Sequence, residues 1–396
     1  MNALLRNLYA ELPPVYWTIW LGTLVNKLGS VVVPFLALYL TQERGLPNAE
    51  AGALLSLYGA GSILAGLTGG VLADRHGRRL TLIISLLGGA AASLGIGFAR
   101  SLGMISLLTF LLGWLGEMYR PAVAALISDV VPPEKRTRAF GLLYWVVNLG
   151  FAVAMTLGGV LASTSFLGLF VFDAVTMALY GLLVLWKVPE TRPTERHHGA
   201  AQAGLGTVLQ DGTFLLFVLL AFGFALVMWQ TGTSAPIDMT AKGLSKTTYG
   251  VLFAINGVLI AVLQPRMTSW LTHKRRDAVL AVAALWFGVG FGLFGFVSSV
   301  LGYAVGIAIW TIGEIAYLPT ANTVVADLAP SSLRGRYQGV YTMAWGFASV
   351  AAPVVGGAAL DGPGSRTLWV GCAVLMAGIA VCQFAIGPAI ARRAAK

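Results

Sequence analysis

Charge is scarce in this chain. Lys and Arg number 26 and Asp and Glu 16 among 396 residues, 11% together against 57% hydrophobic residues, which is too little charge to cover a water-facing surface of this size. A bilayer is the solvent this composition implies. Cysteine is scarcer still: Cys372 and Cys382 lie ten residues apart in one apolar run and cannot face each other on one helix, so no disulfide and no metal site are expected. The four histidines, His76, His197, His198 and His273, sit in polar connectors without metal-ligand company. No Gly-x-x-x-x-Gly-Lys loop is present to cradle phosphates, which excludes ATP as a driving force, and nothing indicates an enzyme or a cofactor. The start, MNALLRNLYAELPP, places Glu11 and two prolines where a cleavable signal needs an apolar run.

Long apolar runs are abundant. Segments of about 20 residues, the length that crosses about 30 Å of hydrocarbon, recur twelve times. The first six are 15–41, 49–73, 80–99, 103–130, 138–162 and 165–187, and the second six are 211–240, 247–271, 278–297, 301–328, 336–360 and 366–390. Most connectors are short and carry Pro, Gly or charge. The long polar stretch, PETRPTERHHGAAQAG at 189–204, divides the chain into halves, 1–187 and 209–396, joined by a linker at 188–208.

The halves repeat each other at an offset of 198 residues. SDVVPPEKRTRAFG (128–141) returns as ADLAPSSLRGRYQG (326–339), pairing Asp129 with Asp327, Arg136 with Arg334 and Gly141 with Gly339. Tyr119/Tyr317, Pro121/Pro319, Gly45/Gly243 and Arg78/Arg276 keep the same register. A duplicated membrane domain places its site between the halves. The fold expected is an all-α membrane protein of twelve transmembrane helices in two pseudo-symmetric six-helix bundles.

Basic residues set the orientation, because Lys and Arg are retained on the cytoplasmic side. Every second connector holds them: Arg75, Arg78 and Arg79; Lys135, Arg136 and Arg138; Lys187, Arg192 and Arg196; Lys274, Arg275 and Arg276; Arg334 and Arg336; and Arg392, Arg393 and Lys396. Both termini are therefore expected in the cytoplasm of a bacterial-type inner membrane. The net charge of +10 follows from this asymmetry and reads as topology and headgroup contact, with no nucleic-acid partner.

Between the second and third runs stands GGVLADRHGRR (69–79). Gly70, Asp74, Arg75, Gly77, Arg78 and Arg79 match the loop signature G-x-x-x-D-R-x-G-R-R, and with the twelve runs, the repeat and the basic loops the whole chain resembles the major facilitator superfamily. That resemblance implies two six-helix bundles around a central cavity, working by rocking-type alternating access. The residues themselves agree. Gly70 would let two helices approach closely, Asp74 would pair with arginine or cap a helix, and Arg78 would bridge to Asp129 at the end of the fourth run, forming a conformational latch. In the second half Thr268 and Thr272 replace Gly70 and Asp74, so a weaker latch is expected there.

The fifth run, NLGFAVAMTLGG (148–159), resembles the G-P-x-x-G-G segment of proton-coupled drug antiporters in keeping Gly150, Gly158 and Gly159, with Ala154 and Met155 in place of Gly-Pro. Its counterpart AAPVVGG (351–357) keeps Pro353, and the arginine typical of the fourth helix in those antiporters is absent. A second, partial resemblance is to proton-coupled oligopeptide transporters, through YRPAVAAL (119–126) and YWVVNLG (144–150). The Glu-x-x-Glu-Arg cluster of that family is replaced by Thr23 to Lys27.

Ionisable groups inside hydrocarbon are costly and are functional by default. Lys27, Glu117 and Glu314 fall near the middle of runs 1, 4 and 10, with Arg120 one turn from Glu117. Glu117 and Arg120 can bridge locally, and Lys27 then needs a partner from another helix, for which either glutamate qualifies. Either Glu117 or Glu314, at near-equivalent places, is the expected proton carrier. Asp173 and Asp238 are weaker candidates, read as boundary groups that cap a helix or meet solvent. Asn26, Asn148, Asn256 and Asn322, with Tyr119, Tyr144, Tyr317 and Tyr341, either line a substrate pocket or serve helix packing; an aromatic pocket suits lipophilic or cationic small molecules. The function expected is a proton-coupled exporter of small amphipathic or drug-like compounds, acting as a monomer in the lipid bilayer with protons and a small-molecule substrate as its partners. The alternatives are a proton-coupled importer of peptides or similar nutrients, and a membrane sensor or lipid-handling protein.

Overall fold

The computed structural model describes residues 12–191, 208–271, 274–330 and 333–394. Among them twelve helices are long and apolar enough to cross a membrane. The first six are α1 Pro14–Glu43, α2 Asn48–His76, α3 Arg78–Phe98, α4 Leu102–Val130, α5 Pro133–Thr164 and α6 Phe166–Lys187. The second six are α7 Gly212–Thr231, α8 Lys246–Gln264, α9 Arg276–Leu293, α10 Val300–Leu328, α11 Arg336–Asp361 and α12 Ser365–Ile390. No strand occurs among the described residues. The chain is an all-α, multi-pass membrane protein. Most of the expected linker falls in 192–207, outside the described residues, together with His197 and His198; so do Thr272 and His273.

Helix starts follow local chemistry. Pro14 and Pro133 open α1 and α5, where a missing N–H costs nothing. Ser101, Ser165, Asp211 and Ser299 cap α4, α6, α7 and α10, each accepting from a backbone N–H three residues on, at 3.1–3.3 Å. Ser101 and Ser299 are equivalent positions of the repeat.

The chain divides into two compact units, residues 1–36 with 57–197 and residues 37–56 with 198–396. Residues 37–56 join the second unit partly through Asp361, whose carboxylate accepts from the Asn48 amide and the Ala49 backbone N–H, both at 2.7 Å. The core of the first unit gathers Tyr16, Ile19, Leu82, Leu86, Leu126 and Tyr180 from α1, α3, α4 and α6. In the second unit Phe224 of α7 stacks on Tyr317 of α10, with ring centroids 3.7 Å apart, and lies 4.3 Å from Phe287 of α9. Lipid gives helices no hydrophobic reason to associate, so such tight packing does that work.

The sequence repeat is also a structural repeat. In the first unit the Tyr16 hydroxyl donates to the Ala139 carbonyl at 2.9 Å and ties α1 to α5. At the equivalent positions of the second unit, Phe214 packs on Tyr337, centroids 4.3 Å apart, and ties α7 to α11. Gly45 and Gly243 share a left-handed backbone, with φ of 67° and 90°. The first helix of each half is interrupted at equivalent places: α1 at Ser30–Val31, and α7 at Trp229–Thr231 before a short helix, Ser234–Ala241. In α4 the break falls at Met118, because Pro121 has no N–H and its ring crowds the carbonyl four residues earlier, that of Glu117. The equivalent Pro319 lies inside a continuous α10.

Candidate functional site

Glu117 stands at the break in α4. Its Oε1 accepts the Tyr58 hydroxyl of α2 at 2.6 Å, and its Oε2 pairs with Arg120 one turn on. The local bridge is therefore formed, and both carboxylate oxygens are engaged. The Glu117 side chain is 16% exposed and that of Arg120 63%, so the cation of this pair is the accessible member.

Lys27 corrects an expectation. Its ammonium stands over the Tyr119 ring, 5.6 Å from the centroid, and among the described residues it makes no ion pair. The nearby Glu117 carboxylate acts on it through space, with no direct bond between them, while its own oxygens take Arg120 and Tyr58. Its direct contact is thus a cation–π one, with the Glu117 and Asp173 carboxylates acting on it through space in place of the direct bridge expected.

In the second unit Glu314 is buried in α10, 5% exposed. Its Oε2 accepts from the Asn256 amide of α8 at 2.7 Å. The same amide nitrogen donates to Thr311 Oγ1 at 3.1 Å, and that hydroxyl donates to the Ile307 carbonyl at 2.6 Å. Tyr58 and Asn256 are 198 residues apart. Each half thus holds its mid-helix glutamate with a donor from the same position of its second helix. The equivalence ends at the cation, since Leu318 occupies the place of Arg120. Tyr58 carried no sequence signal, being one aromatic among many; only its place in the repeat, opposite a polar Asn256, could have marked it.

The other candidates scatter. Asn148 and Asn322 donate to the carbonyls of Tyr144 and Leu318, each four residues back on its own helix, and among the described residues neither bonds across helices. Tyr317 and Tyr341 are buried in aromatic packing, Tyr341 against Phe217 and Trp345, while Tyr144 is exposed. Asn26 is buried on α1. Asp173 is buried on α6 beside Ser93 and is not a solvated boundary group. Neither is Asp238, which is 2% exposed and accepts on Oδ2 from Lys242 at 3.0 Å, Tyr303 at 2.8 Å and Trp369 at 3.0 Å.

The loop motif builds a fixed ion pair. Arg78 Nε donates to Asp129 Oδ2 at 2.8 Å, with the two side chains 9% and 16% exposed. Asp74 pairs with Arg78 at 3.2 Å but is 74% exposed, so of the two ion pairs of Arg78 it makes the weaker. Gly77 takes a φ of 106° and rests on Glu190, whose carboxylate accepts from the backbone N–H groups of Arg78 at 2.8 Å and Arg79 at 3.2 Å. Glu190 thereby caps α3, where a carboxylate complements the helix dipole; it lies 112 residues away in sequence and no local pattern announces it. Gly70 does not admit a neighbouring helix, because nothing lies within 4 Å of where its Cβ would be, while Gly69 faces Met118 and Pro121 of α4. In the second half the equivalent pair Arg276–Asp327 is formed. What that half lacks is an acid at position 272 and a glycine at 275, where Arg275 pairs with Asp277 at 2.7 Å.

A duplicated twelve-helix membrane fold with ionisable side chains held inside its helices is that of a membrane transporter for small molecules, not an enzyme. The sequence profile of the Major Facilitator Superfamily matches residues 19–240 and 226–394, and the chain belongs to that superfamily. A relative from Planococcus maritimus, a "Na(+), Li(+), K(+)/H(+) antiporter", is 28% identical over 82% of this chain and 84% of its own length. The multidrug resistance protein MdtH of Aeromonas hydrophila is also 28% identical, over 87% of each chain. A POT family transporter solved in complex with 5-aminolevulinic acid shares the fold, with a TM-score of 0.83 at 15% identity, covering 96% of this chain and 97% of that one.

Proposed function

We propose that this protein is a proton-coupled secondary transporter that exports small amphipathic compounds by alternating access across a bacterial inner membrane. Its termini are cytoplasmic, its bundles are 1–187 and 209–396 joined by the linker at 188–208, and it works as a monomer. Relatives named as a cation/proton antiporter and a multidrug resistance protein support this reading. The observation that carries it is the pair of mid-helix carboxylates, Glu117 and Glu314, each held by a donor from the equivalent helix of its own half. Structural packing has no need of such groups in hydrocarbon, whereas proton coupling does. Arg120 and Lys27 belong to the same coupling set, and the Arg78–Asp129 pair is its latch.

The test is transport in proteoliposomes under imposed pH gradients. Ethidium flux driven by a proton gradient running against it supports export, and a flux indifferent to the gradient refutes the coupling. One observation favours a second reading: the accessible charge of the first unit is cationic, with Arg120 exposed and Lys27 in no direct ion pair among the described residues. Such a surface suits a substrate bearing a carboxylate, as a peptide does. Proton-driven uptake of dialanine in the same vesicles, with no ethidium flux, would establish that reading instead.

A further inference from the structure

We propose that the two glutamates divide their roles, that Glu314 is the carboxylate that binds the proton, and that Asn256 is its positioning residue. The proposal rests on the proton-coupled reading and assigns its parts. The argument begins with what each carboxylate touches. Glu117 gives one oxygen to a guanidinium and the other to a hydroxyl. A guanidinium only donates and carries a permanent charge, so it favours the ionised carboxylate, and protonation would leave that cation uncompensated. Glu314 meets no cation. Its Oε2 receives a neutral amide N–H, a bond that a carboxylate oxygen accepts more strongly but that the carbonyl oxygen of a carboxylic acid can also keep. Its Oε1 takes no hydrogen bond among the described residues and is the oxygen left to receive the proton.

Asn256 fixes which oxygen that is. Its two N–H groups are both committed, one to Glu314 and one to Thr311, whose hydroxyl is itself anchored on the Ile307 carbonyl. The amide therefore cannot turn its oxygen toward Glu314 without breaking both bonds. The first half has no such device, since Gly113 stands where Thr311 does and a tyrosine where Asn256 does. Titratable and charged groups on the helices around α10 are Lys246 and Tyr249 on α8, Arg276 and Asp277 on α9, Arg336, Tyr337, Tyr341 and Asp361 on α11, and Arg366, Cys372 and Cys382 on α12, with Tyr303, Tyr317 and Asp327 on α10 itself. None hydrogen-bonds the Glu314 carboxylate, Asp277 is paired with Arg275, and no Lys, Arg or His among the described residues forms an ion pair with Glu314.

The test is infrared difference spectroscopy of the full-length protein in liposomes, titrated from alkaline to acid pH, following the carbonyl band of a carboxylic acid. Proton binding is read directly, so no substrate is needed. The band should be lost in Glu314→Gln. In Asn256→Leu it should persist but appear at a proton concentration roughly tenfold lower, since the ionised form has lost one hydrogen bond. Thr311→Val, a smaller change that leaves the amide in place but unanchored, should shift it the same way by less. Asn256→Gln, which keeps the donors, should stay closer to the wild type than Asn256→Leu. A band that survives Glu314→Gln overturns the assignment, and wild-type titration in a folded Asn256→Leu protein overturns the positioning role. Normal titration with no proton-linked flux in vesicles would instead refute the coupled-transport reading while upholding the assignment.

Discussion

Asp238 gathers three helical segments onto one oxygen, and its removal should be among the costlier single changes in the second unit. Lys242 from its own short helix, Tyr303 of α10 and Trp369 of α12 all donate to Oδ2, and Lys242 also donates to the Phe294 carbonyl just past α9, at 2.6 Å. Tyr303 and Trp369 are fully buried, while the Lys242 side chain is 24% exposed. Asp238→Ala would strand two buried neutral donors, each costing about 1–3 kcal/mol, and a mostly buried ammonium that retains one carbonyl partner and some water. Relaxation keeps these from adding, and the loss expected is that of breaking one buried pair, about 3–5 kcal/mol. Asp238→Asn keeps an oxygen for Tyr303 and Trp369 and loses only the charge, for about 1–2 kcal/mol. With roughly 2–4 °C per kcal/mol for a unit of about 200 residues, the alanine variant should melt about 6–20 °C lower and the asparagine variant about 2–8 °C lower. The assay is thermal unfolding of the purified full-length protein in detergent, paired with vesicle transport. An alanine variant within about 2 °C of the wild type would refute the energetic argument. An asparagine variant that melts normally but has lost its proton response would show that Asp238 carries the proton and is not a staple.

Other outcomes follow from the same contacts. Asp129→Asn removes the enclosed partner of Arg78 and should cost about 3 kcal/mol of stability, whereas Asp74→Asn should cost less than about 1 kcal/mol; equal shifts in detergent melting would refute the ranking. Burial alone would raise the Asp211 carboxyl, but hydrogen bonds from Arg393, the Phe214 backbone and Tyr337 outweigh it and hold the group below its ordinary value. Its contribution is thus present above the usual aspartate range near pH 4 and is lost as pH falls further, so the acid-induced drop in melting temperature should be smaller in Asp211→Asn; an unchanged acid limb would sink the argument. Lys27→Met and Glu117→Gln should show a coupling below that of a direct buried pair, because Lys27 acts on Glu117 through space with no bond between them; a coupling of about 3 kcal/mol or more would restore the ion pair that the sequence suggested.

The fold was legible because both of its signals are long. Twelve apolar runs and a repeat carried over whole helices leave little room for another architecture, and the Arg78–Asp129 bridge with its twin Arg276–Asp327 could be paired from the offset alone. What sequence reading missed depends on which face of a helix a residue takes and on partners distant in the chain. Asp238 looked like a boundary group because it stands near a helix end, yet Trp369, 131 residues away, and Tyr303, 65 residues away, enclose it. Lys27 was assigned a direct carboxylate partner on depth alone, and depth cannot show that Glu117 turns its oxygens to Tyr58 and Arg120 while Lys27 stands over the Tyr119 ring. Gly70 was credited with a close helix contact that belongs to its neighbour Gly69, a difference of one residue and about 100° around the helix.

The one-residue slip between the glutamates is where the repeat stops being symmetric. Tyr58 and Asn256 keep the offset of 198, as do Pro121 and Pro319, but Glu117 and Glu314 are 197 apart. Moving a carboxylate by one helical position turns it by about 100°. In the first half it meets the guanidinium one turn on, at a helix break that Pro121 opens; in the second it stays within a continuous helix, where the position equivalent to Arg120 is Leu318. The donors come from the same place on the second helix in both halves, so the frame is common and the chemistry is not. One half holds its mid-helix glutamate against a cation and the other holds its glutamate in no ion pair among the described residues; on the assignment proposed above, this difference, written in one residue of register and one lost arginine, is what makes Glu314 the proton-binding member of the pair.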